Sequence, residues 1–181
     1  MASVAAIAVA VPWAYAGERR RPMSTLPVIE VWKAKHEMWL KQDGRISRRF
    51  RIYLGRQIEA TKEHQGDGRT PVGKYYVAEK RAKSSFRRFL GISYPNIDDA
   101  ERAFAERLIT ADQWADILFA NLRGQVPPWQ TPLGGRVGIH GHGGRDDFGF
   151  DWTKGCIAVS DDDIDYLYAR VPVGAPVIIH D

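Results

Sequence analysis

Apolar residues recur at every second position in two short segments near the start of the chain. Residues 36–41 and 50–54 show this alternation, which is typical of strands that bury one face. Between them lies Asp43-Gly44, a pair that tolerates the positive φ of a tight hairpin turn. Residues 28–31 and 74–79 have the composition of further strands. The pattern therefore predicts a β-hairpin flanked by other strands.

The pattern becomes helical in the middle of the chain. Helix formers fill residues 97–108, and a capping box from Thr110 to Gln113 starts a second helix. A third helix begins at Ser160, where carboxylates at 161–163 favour the positive end of the helix dipole. A last strand follows at 177–179. These elements predict a mixed α/β fold in which β-structure dominates, with a helical insertion that we expect to border the substrate cleft.

The N-terminal segment has a different character. Residues 1–16 form an apolar run that ends in Ala14-Tyr15-Ala16, a pattern of signal-peptide cleavage sites. The run is too short to span a bilayer. We expect export to the periplasm or cell envelope, with a basic tail or linker at 17–27; the alternative is a buried N-terminal helix or strand. Residues 28–181 are predicted to form one domain.

The composition is that of an ordinary globular protein, with 44% hydrophobic and 27% charged residues among 181. The net charge of +4 fits attraction to an anionic cell wall and equally fits a plain basic surface. No interleaving of aromatic and basic residues predicts nucleic-acid binding, and no membrane span is predicted. We expect a monomer.

The candidate chemistry lies in residues 138–160, which contain the single cysteine, Cys156, together with His140 and His142. His140 follows a predicted strand, and Cys156 precedes another. A thiolate is a strong nucleophile, and a nearby imidazole can take its proton and return it. One cysteine cannot form an intramolecular disulfide, so an exported chain would keep it for reactivity. The alternative is a buried, inert cysteine.

Several sequence blocks resemble the L,D-transpeptidase (YkuD-type) catalytic domain family. Two surround the candidate pair: Ile139-His140-Gly141 and Thr153-Lys154-Gly155-Cys156-Ile157. A third, at 66–76, is similar to the family's GDGRTPxGxY stretch. Ile92-Ser93-Tyr94-Pro95-Asn96 and Asp151-Trp152-Thr153 resemble a proteobacterial branch. The resemblance covers about residues 28–181 and implies the family's curved β-sandwich, here with a helical insertion.

Three features depart from the family pattern. Lys154 stands where many members have His, and Ala158 where many have Arg or Asn. The separation of 16 residues between His140 and Cys156 is also short. These departures concern substrate contacts more than thiol chemistry.

The chemistry of these residues predicts a role for each of them. Cys156 is expected to be the nucleophile and His140 the general base and then acid, with Lys154 adding positive charge that favours the thiolate. The backbone amides of Gly155 and Cys156 are candidates for an oxyanion hole, and Asp151 or Thr153 is expected to orient a histidine. The residues expected to support the pair are Gly141, Asp151, Thr153, Lys154 and Gly155.

Two further residues are candidates for substrate contact. Arg69 could hold a carboxylate bidentately, although Asp67 and Arg69 could instead fasten their loop to itself. His142 could contact substrate or serve a structural role.

The implied substrate is a peptidoglycan stem peptide. Cys156 would attack at a diaminopimelate–D-Ala bond, release D-Ala and leave a thioester. An amine would resolve this thioester in transpeptidation, and water in an L,D-carboxypeptidase or amidase of the same fold. Neither a metal nor an organic cofactor is implied.

Two other classes of function are alternatives. A metal hydrolase could draw ligands from His140, His142, Asp146, Asp147 and Cys156, but their spacing matches no metal motif. A non-catalytic wall-binding module would need no cysteine and histidine at this junction.

Overall fold

Eight strands form one curled sheet in the computed structural model, which describes residues 26–144 and 149–181. The predictions for residues 1–16, for most of the basic tail, and for Asp146 and Asp147 lie outside the described residues. The strand order is β3-β2-β1-β8-β4-β5-β6-β7, and the pairs β1/β8 and β6/β7 are parallel. The strands are β1 Val28–Trp32, β2 Glu37–Gln42, β3 Arg45–Arg51, β4 Gly73–Ser84, β5 Arg87–Ile92, β6 Gly138–His140, β7 Ile157–Ala158 and β8 Pro176–His180.

The predicted N-terminal hairpin is present as β2 and β3. Its turn residues, Asp43 and Gly44, have φ of 50° and 76°, as the turn type requires. The predicted strand at 50–54 is only partly correct, because β3 ends at Arg51. Tyr53 instead exchanges backbone hydrogen bonds with Ala158, at N···O distances of 2.9 and 2.8 Å. After the hairpin, the chain therefore runs beside β7, the strand that follows Cys156.

The hairpin of β4 and β5 extends beyond the predicted strand at 74–79. β4 continues to Ser84, and β5 has no counterpart among the predicted strands. Charged side chains fill the exposed end of this hairpin and obscure its alternation, while the other end buries Val77, Leu90 and Ile92. This hairpin matters for the site because β5 pairs with β6, the strand that carries His140.

Three helices complete the described fold: α1 Ile97–Ala105, α2 Ala111–Leu122 and α3 Asp161–Arg170. The predicted capping box at Thr110 and Gln113 is present, and Ser160 caps α3 by accepting from the Asp163 N–H. The helical insertion is confirmed, and α1 and α2 cover a small core of their own. α3 packs against β5 and buries Ile164 and Leu167 in the main core.

Two adjacent positions on β8 offer a test of the sheet's two faces. β8 lies between β1 and β4, with Ile179 buried in the core and Ile178 on the outer face. We expect Ile179→Ala to lower the free energy of unfolding by about 2–5 kcal/mol, because it leaves a cavity. Ile178→Ala should cost about 1 kcal/mol or less. Urea unfolding measures both, and equal losses would contradict this assignment of faces.

Candidate active site

The parallel pairing of β6 and β7 brings the predicted cysteine and histidine together. His140 pairs with Ala158, so Cys156 lies just before the neighbouring strand. Both side chains line the same cleft, of about 380 Å³. Cys156 also lines a second cleft, of about 320 Å³, which His140 does not reach. The thiol therefore stands between two openings.

The His140 ring is fixed from two sides. Its Nδ1 lies 2.7 Å from the Gly141 carbonyl oxygen. A carbonyl can only accept, so Nδ1 carries the hydrogen and Nε2 is left with a free lone pair. The ring also stacks on Phe86, with centroids 4.5 Å apart. Burial lowers the pKa of His140, with the bond to Gly141 opposing this and His142 adding to it. The imidazole is therefore neutral at neutral pH and able to accept a proton.

Cys156 is a free, half-buried cysteine. Its Sγ donates to the Arg136 carbonyl oxygen at 3.6 Å. Burial raises the pKa of the thiol, although the Gly138 backbone N–H and the positive charge of Lys62 act in the opposite direction. The expectation that a partner imidazole and Lys154 raise the thiolate fraction stays a prediction, which the alkylation experiment below tests. The directions of the two pKa shifts favour a neutral thiol beside a neutral imidazole.

A tight turn holds Cys156 in place. The Thr153 hydroxyl donates to the Cys156 carbonyl at 2.7 Å and accepts from the Gly155 N–H at 3.1 Å. Gly155 has φ of 126°, and a Cβ there would lie 2.6 Å from the Arg69 carbonyl oxygen. Only glycine fits this position. The Gly155 N–H already donates to Thr153 and is not available for the expected oxyanion hole. The Cys156 N–H is therefore the remaining candidate donor.

The loop at 61–72 packs behind this turn. Lys62 and Asp67 form a buried ion pair with an N···O distance of 2.7 Å, and Lys62 lines the smaller cleft beside Cys156. Burial opposes ionisation of Asp67, but Lys62 and the backbone N–H groups of Glu63, Arg69 and His64 lower its pKa to about 2. Asp67 therefore stays ionised at neutral pH, and its charge fixes the loop.

Arg69 and Asp151 lie near the site without reaching the thiol. The Arg69 guanidinium donates to Glu63 at 2.8 Å, which is the loop-fastening alternative. The Asp151 carboxylate accepts from the Leu54 N–H at 2.7 Å and pairs with His36 at 2.8 Å. Asp151 thus orients a histidine, but it is His36 and not His140.

The two remaining candidates differ in exposure. His142 is buried beside Tyr53 and Trp152, with ring centroids 5.5 and 6.2 Å away, and lines neither cleft. Lys154 is exposed and lines the smaller cleft. Ala158, the departure that follows the cysteine, is fully buried.

The helical insertion does not border these clefts, contrary to expectation. Among the described residues, none from 97–123 lines either one. The loop after α2 does so instead, through residues 134–137. The expectation failed because α1 and α2 cover their own small core.

Asp161 is a supporting residue that sequence reasoning missed. Its carboxylate accepts from the backbone N–H groups of His142, Gly143 and Gly144, at 2.7–2.9 Å. A Cβ on Gly141 would overlap this carboxylate, so Gly141 must be glycine. Burial opposes ionisation of Asp161, but these three bonds outweigh it and lower the pKa. The signal in the sequence was ambiguous, because an acidic first helical turn also suits the helix dipole alone.

A curled β-dominated sheet thus brings a cysteine and a histidine together at two neighbouring parallel strands. A family model described as the L,D-transpeptidase catalytic domain (YkuD) matches residues 27–179. The chain belongs to this family.

Solved structures show the same fold at low identity. An L,D-transpeptidase from Xylanimonas cellulosilytica is 18% identical with a TM-score of 0.51; the match covers 86% of this chain and 61% of that one. Bd1075 from Bdellovibrio bacteriovorus is 16% identical with a TM-score of 0.57; the match covers 87% of this chain and 48% of Bd1075. Pgp2 from Campylobacter jejuni, a helical cell shape determining protein, is 20% identical with a TM-score of 0.57; the match covers 86% of this chain and 48% of Pgp2.

The chain thus spans about half to three-fifths of the length of these solved proteins. A comparison with curated protein sequences gives no match. Within residues 26–144 and 149–181, no three His, Cys, Asp or Glu side chains cluster to hold a metal ion. None of the helices described there is long and apolar enough to cross a membrane.

The role of Asp161 can be tested against its neighbour. Asp162 lies in the same first turn of α3 but makes none of the three loop bonds. We expect Asp161→Ala to cost about 1–3 kcal/mol of unfolding free energy, because three N–H groups lose their acceptor. Asp162→Ala should change it by about 0.5 kcal/mol or less.

Two measurements check this role. Hydrogen exchange at residues 142–144 should accelerate only in Asp161→Ala. Because the pKa of Asp161 is lowered on folding, its contribution is present above about pH 4 and is lost as pH falls through the folded pKa. Equal effects of the two substitutions would contradict the assignment.

The protonation state of Cys156 gives another prediction. Burial raises the thiol pKa, so the pH midpoint of iodoacetamide alkylation should be higher in the folded protein than in denaturant. Alkylation rates across pH, followed by intact mass, measure both midpoints. A lower midpoint in the folded protein would show a resting thiolate–imidazolium pair instead.

Proposed function

We propose that this domain is a cysteine-dependent L,D-transpeptidase that acts on peptidoglycan stem peptides through a thioester on Cys156. The observation that carries the proposal is the position of Cys156, which lines two separate clefts, with His140 in only one of them. An acyl transfer between two peptides needs one opening for the donor and another for the acceptor. Family membership supports the chemistry, and the similarity to a cell shape determining protein supports a role in wall remodelling.

The proton states define the first half of the reaction. His140 Nε2 takes the thiol proton as Sγ attacks the carbonyl carbon at the diaminopimelate–D-Ala bond, so the charged pair forms only during attack. The Gly141 carbonyl, already bonded to Nδ1–H, stabilises the resulting imidazolium. The C–N bond breaks, D-Ala leaves with the proton from Nε2, and the acyl group remains on sulfur.

The second half repeats this exchange with a new nucleophile. An acceptor amine enters, gives a proton to His140 and attacks the thioester carbonyl. The C–S bond breaks, and the thiol recovers its proton from the imidazolium. Water in place of the amine would make the enzyme a carboxypeptidase or amidase, so positioning of the acceptor decides the outcome.

The proposal extends to where the enzyme works. Residues 1–16 would act as a cleaved export signal, which would place a monomeric domain in the periplasm or cell envelope, where stem peptides are found. We also propose that the chain belongs to a proteobacterial branch of the family, because residues 92–96 and 151–153 resemble that branch.

Intact-protein mass after incubation with a stem tetrapeptide tests the function. We expect the acyl mass on Cys156, no adduct on Cys156→Ala, and adduct formation roughly 10²–10⁴-fold slower in His140→Ala. His64→Ala is the matched control, since His64 is exposed in the loop and lines neither cleft. Absence of an adduct with any stem peptide would refute the substrate class.

The acceptor step is tested by adding a second stem peptide. Cross-linked dimer should exceed hydrolysed tripeptide, because a bound amine competes with water through its high effective concentration. Predominance of tripeptide at saturating acceptor would identify a hydrolase of this fold.

A further inference from the structure

Arg136 occupies an unusual position next to the thiol. Its backbone carbonyl accepts the hydrogen bond from Cys156 Sγ, at 3.6 Å. Arg136 lines both clefts that meet at Cys156, and Cys156 is the other residue that does so. A group at this junction can contact a peptide in either cleft.

The backbone and its neighbours hold the side chain there. Arg136 has φ of 55°, in the left-handed region that costs a non-glycine residue about 1 kcal/mol or more. The guanidinium carbon lies 4.7 Å from the centroid of the Trp129 ring. A Cβ on Gly135 would overlap Trp129, so a glycine beside Arg136 permits this contact. Packing on Trp129 therefore holds the Arg136 side chain in position, at some cost in backbone conformational energy.

The clefts around Arg136 are positively charged. The larger cleft also holds Arg81 and Lys83, and the smaller one holds Lys62 and Lys154. Among the described lining residues of both clefts there is no acidic side chain. This charge favours an anionic ligand.

Among the described residues, Lys83, Lys154 and Arg136 are the cations of this group without a carboxylate partner, and of the three Arg136 alone carries a guanidinium. Glu79 already pairs with Arg81 at 3.0 Å, and Asp67 with Lys62 at 2.7 Å. Within the described part of the chain, the Arg136 guanidinium has no carboxylate partner. A guanidinium fork matches a carboxylate through two parallel hydrogen bonds.

We propose that Arg136 binds a carboxylate of the acyl donor next to the reacting carbonyl, and so makes the site selective for donors that carry a negative charge there. This inference rests on the proposed function for its substrate. The binding of an anion beside Cys156 can also be tested without any stem peptide.

Two alkylating agents of similar size test the site directly. Iodoacetate is anionic and iodoacetamide is neutral, so the ratio of their rates at Cys156 cancels the thiolate fraction and reports attraction of a carboxylate. We expect Arg136→Gln to lower this ratio roughly three- to tenfold, in line with the loss of one charge contact. Arg136→Lys should retain part of it.

Two further variants keep this test interpretable. Arg136→Gly removes the charge and suits the positive φ, so it should lower the ratio even if Arg136→Gln perturbs the turn. Arg123→Gln is the matched control, because Arg123 also lies over an aromatic ring, 5.6 Å from Phe119, and lines neither cleft. An unchanged ratio in both Arg136→Gln and Arg136→Gly would overturn the proposal.

Donor peptides separate this inference from the proposed function. Arg136→Gln should slow acylation by a free-carboxylate tetrapeptide roughly tenfold or more, and hardly slow acylation by the same peptide with its carboxylates amidated. Equal slowing of both donors would mean a structural role and sink the inference, while the transpeptidase proposal stands. If the wild type accepts neither donor, the proposed function fails, and the alkylation ratio still decides whether Arg136 binds carboxylates.

Discussion

The buried charge of Asp67 is the interaction on which the site depends most. Its carboxylate accepts from Lys62 Nζ and from three backbone N–H groups, and it thereby turns a glycine-rich loop into a fixed surface. The Arg69 carbonyl on that surface lies against Gly155, so the turn that presents Cys156 rests directly on it. Removal of one partner from a buried ion pair leaves an uncompensated charge, which is costly. The geometry of the thiol therefore rests on a pair that does not touch it.

Carboxylates hold the other irregular segments around the site in the same way. Asp161 gathers the backbone amides that follow Gly141, and Asp151 anchors Leu54 on the strand-like segment behind Cys156. Loops carry few backbone hydrogen bonds of their own, so acidic side chains supply the acceptors. The segments that flank the reactive residues are consequently held in place, while the clefts beside Cys156 remain open.

The pKa shifts favour the uncharged forms of both reactive residues, Cys156 and His140. Burial raises the thiol pKa and lowers the imidazole pKa, which favours the neutral form of both groups. In the proposed mechanism, the proton therefore moves only when a carbonyl is in place. The positive charge lies instead on the cleft walls, where Arg136 and its neighbours can attract an anionic peptide. In the two proposals above, substrate attraction and nucleophile activation belong to different residues.

The sequence alone determined the hairpin turn at Asp43-Gly44 and the caps of α2 and α3, because each depends on local chemistry within a few residues. It also predicted the cysteine–histidine pair, through blocks that resemble the family, but the parallel pairing of β6 with β7 brings the two residues together. It did not determine β5, whose alternation is hidden by charged side chains. Nor did it predict that Asp151 pairs with His36, that Asp161 holds the loop after His140, or that Arg136 stands between two clefts. These contacts join segments far apart in the chain, and only the packing of the sheet, its loops and α3 brings them within hydrogen-bonding distance.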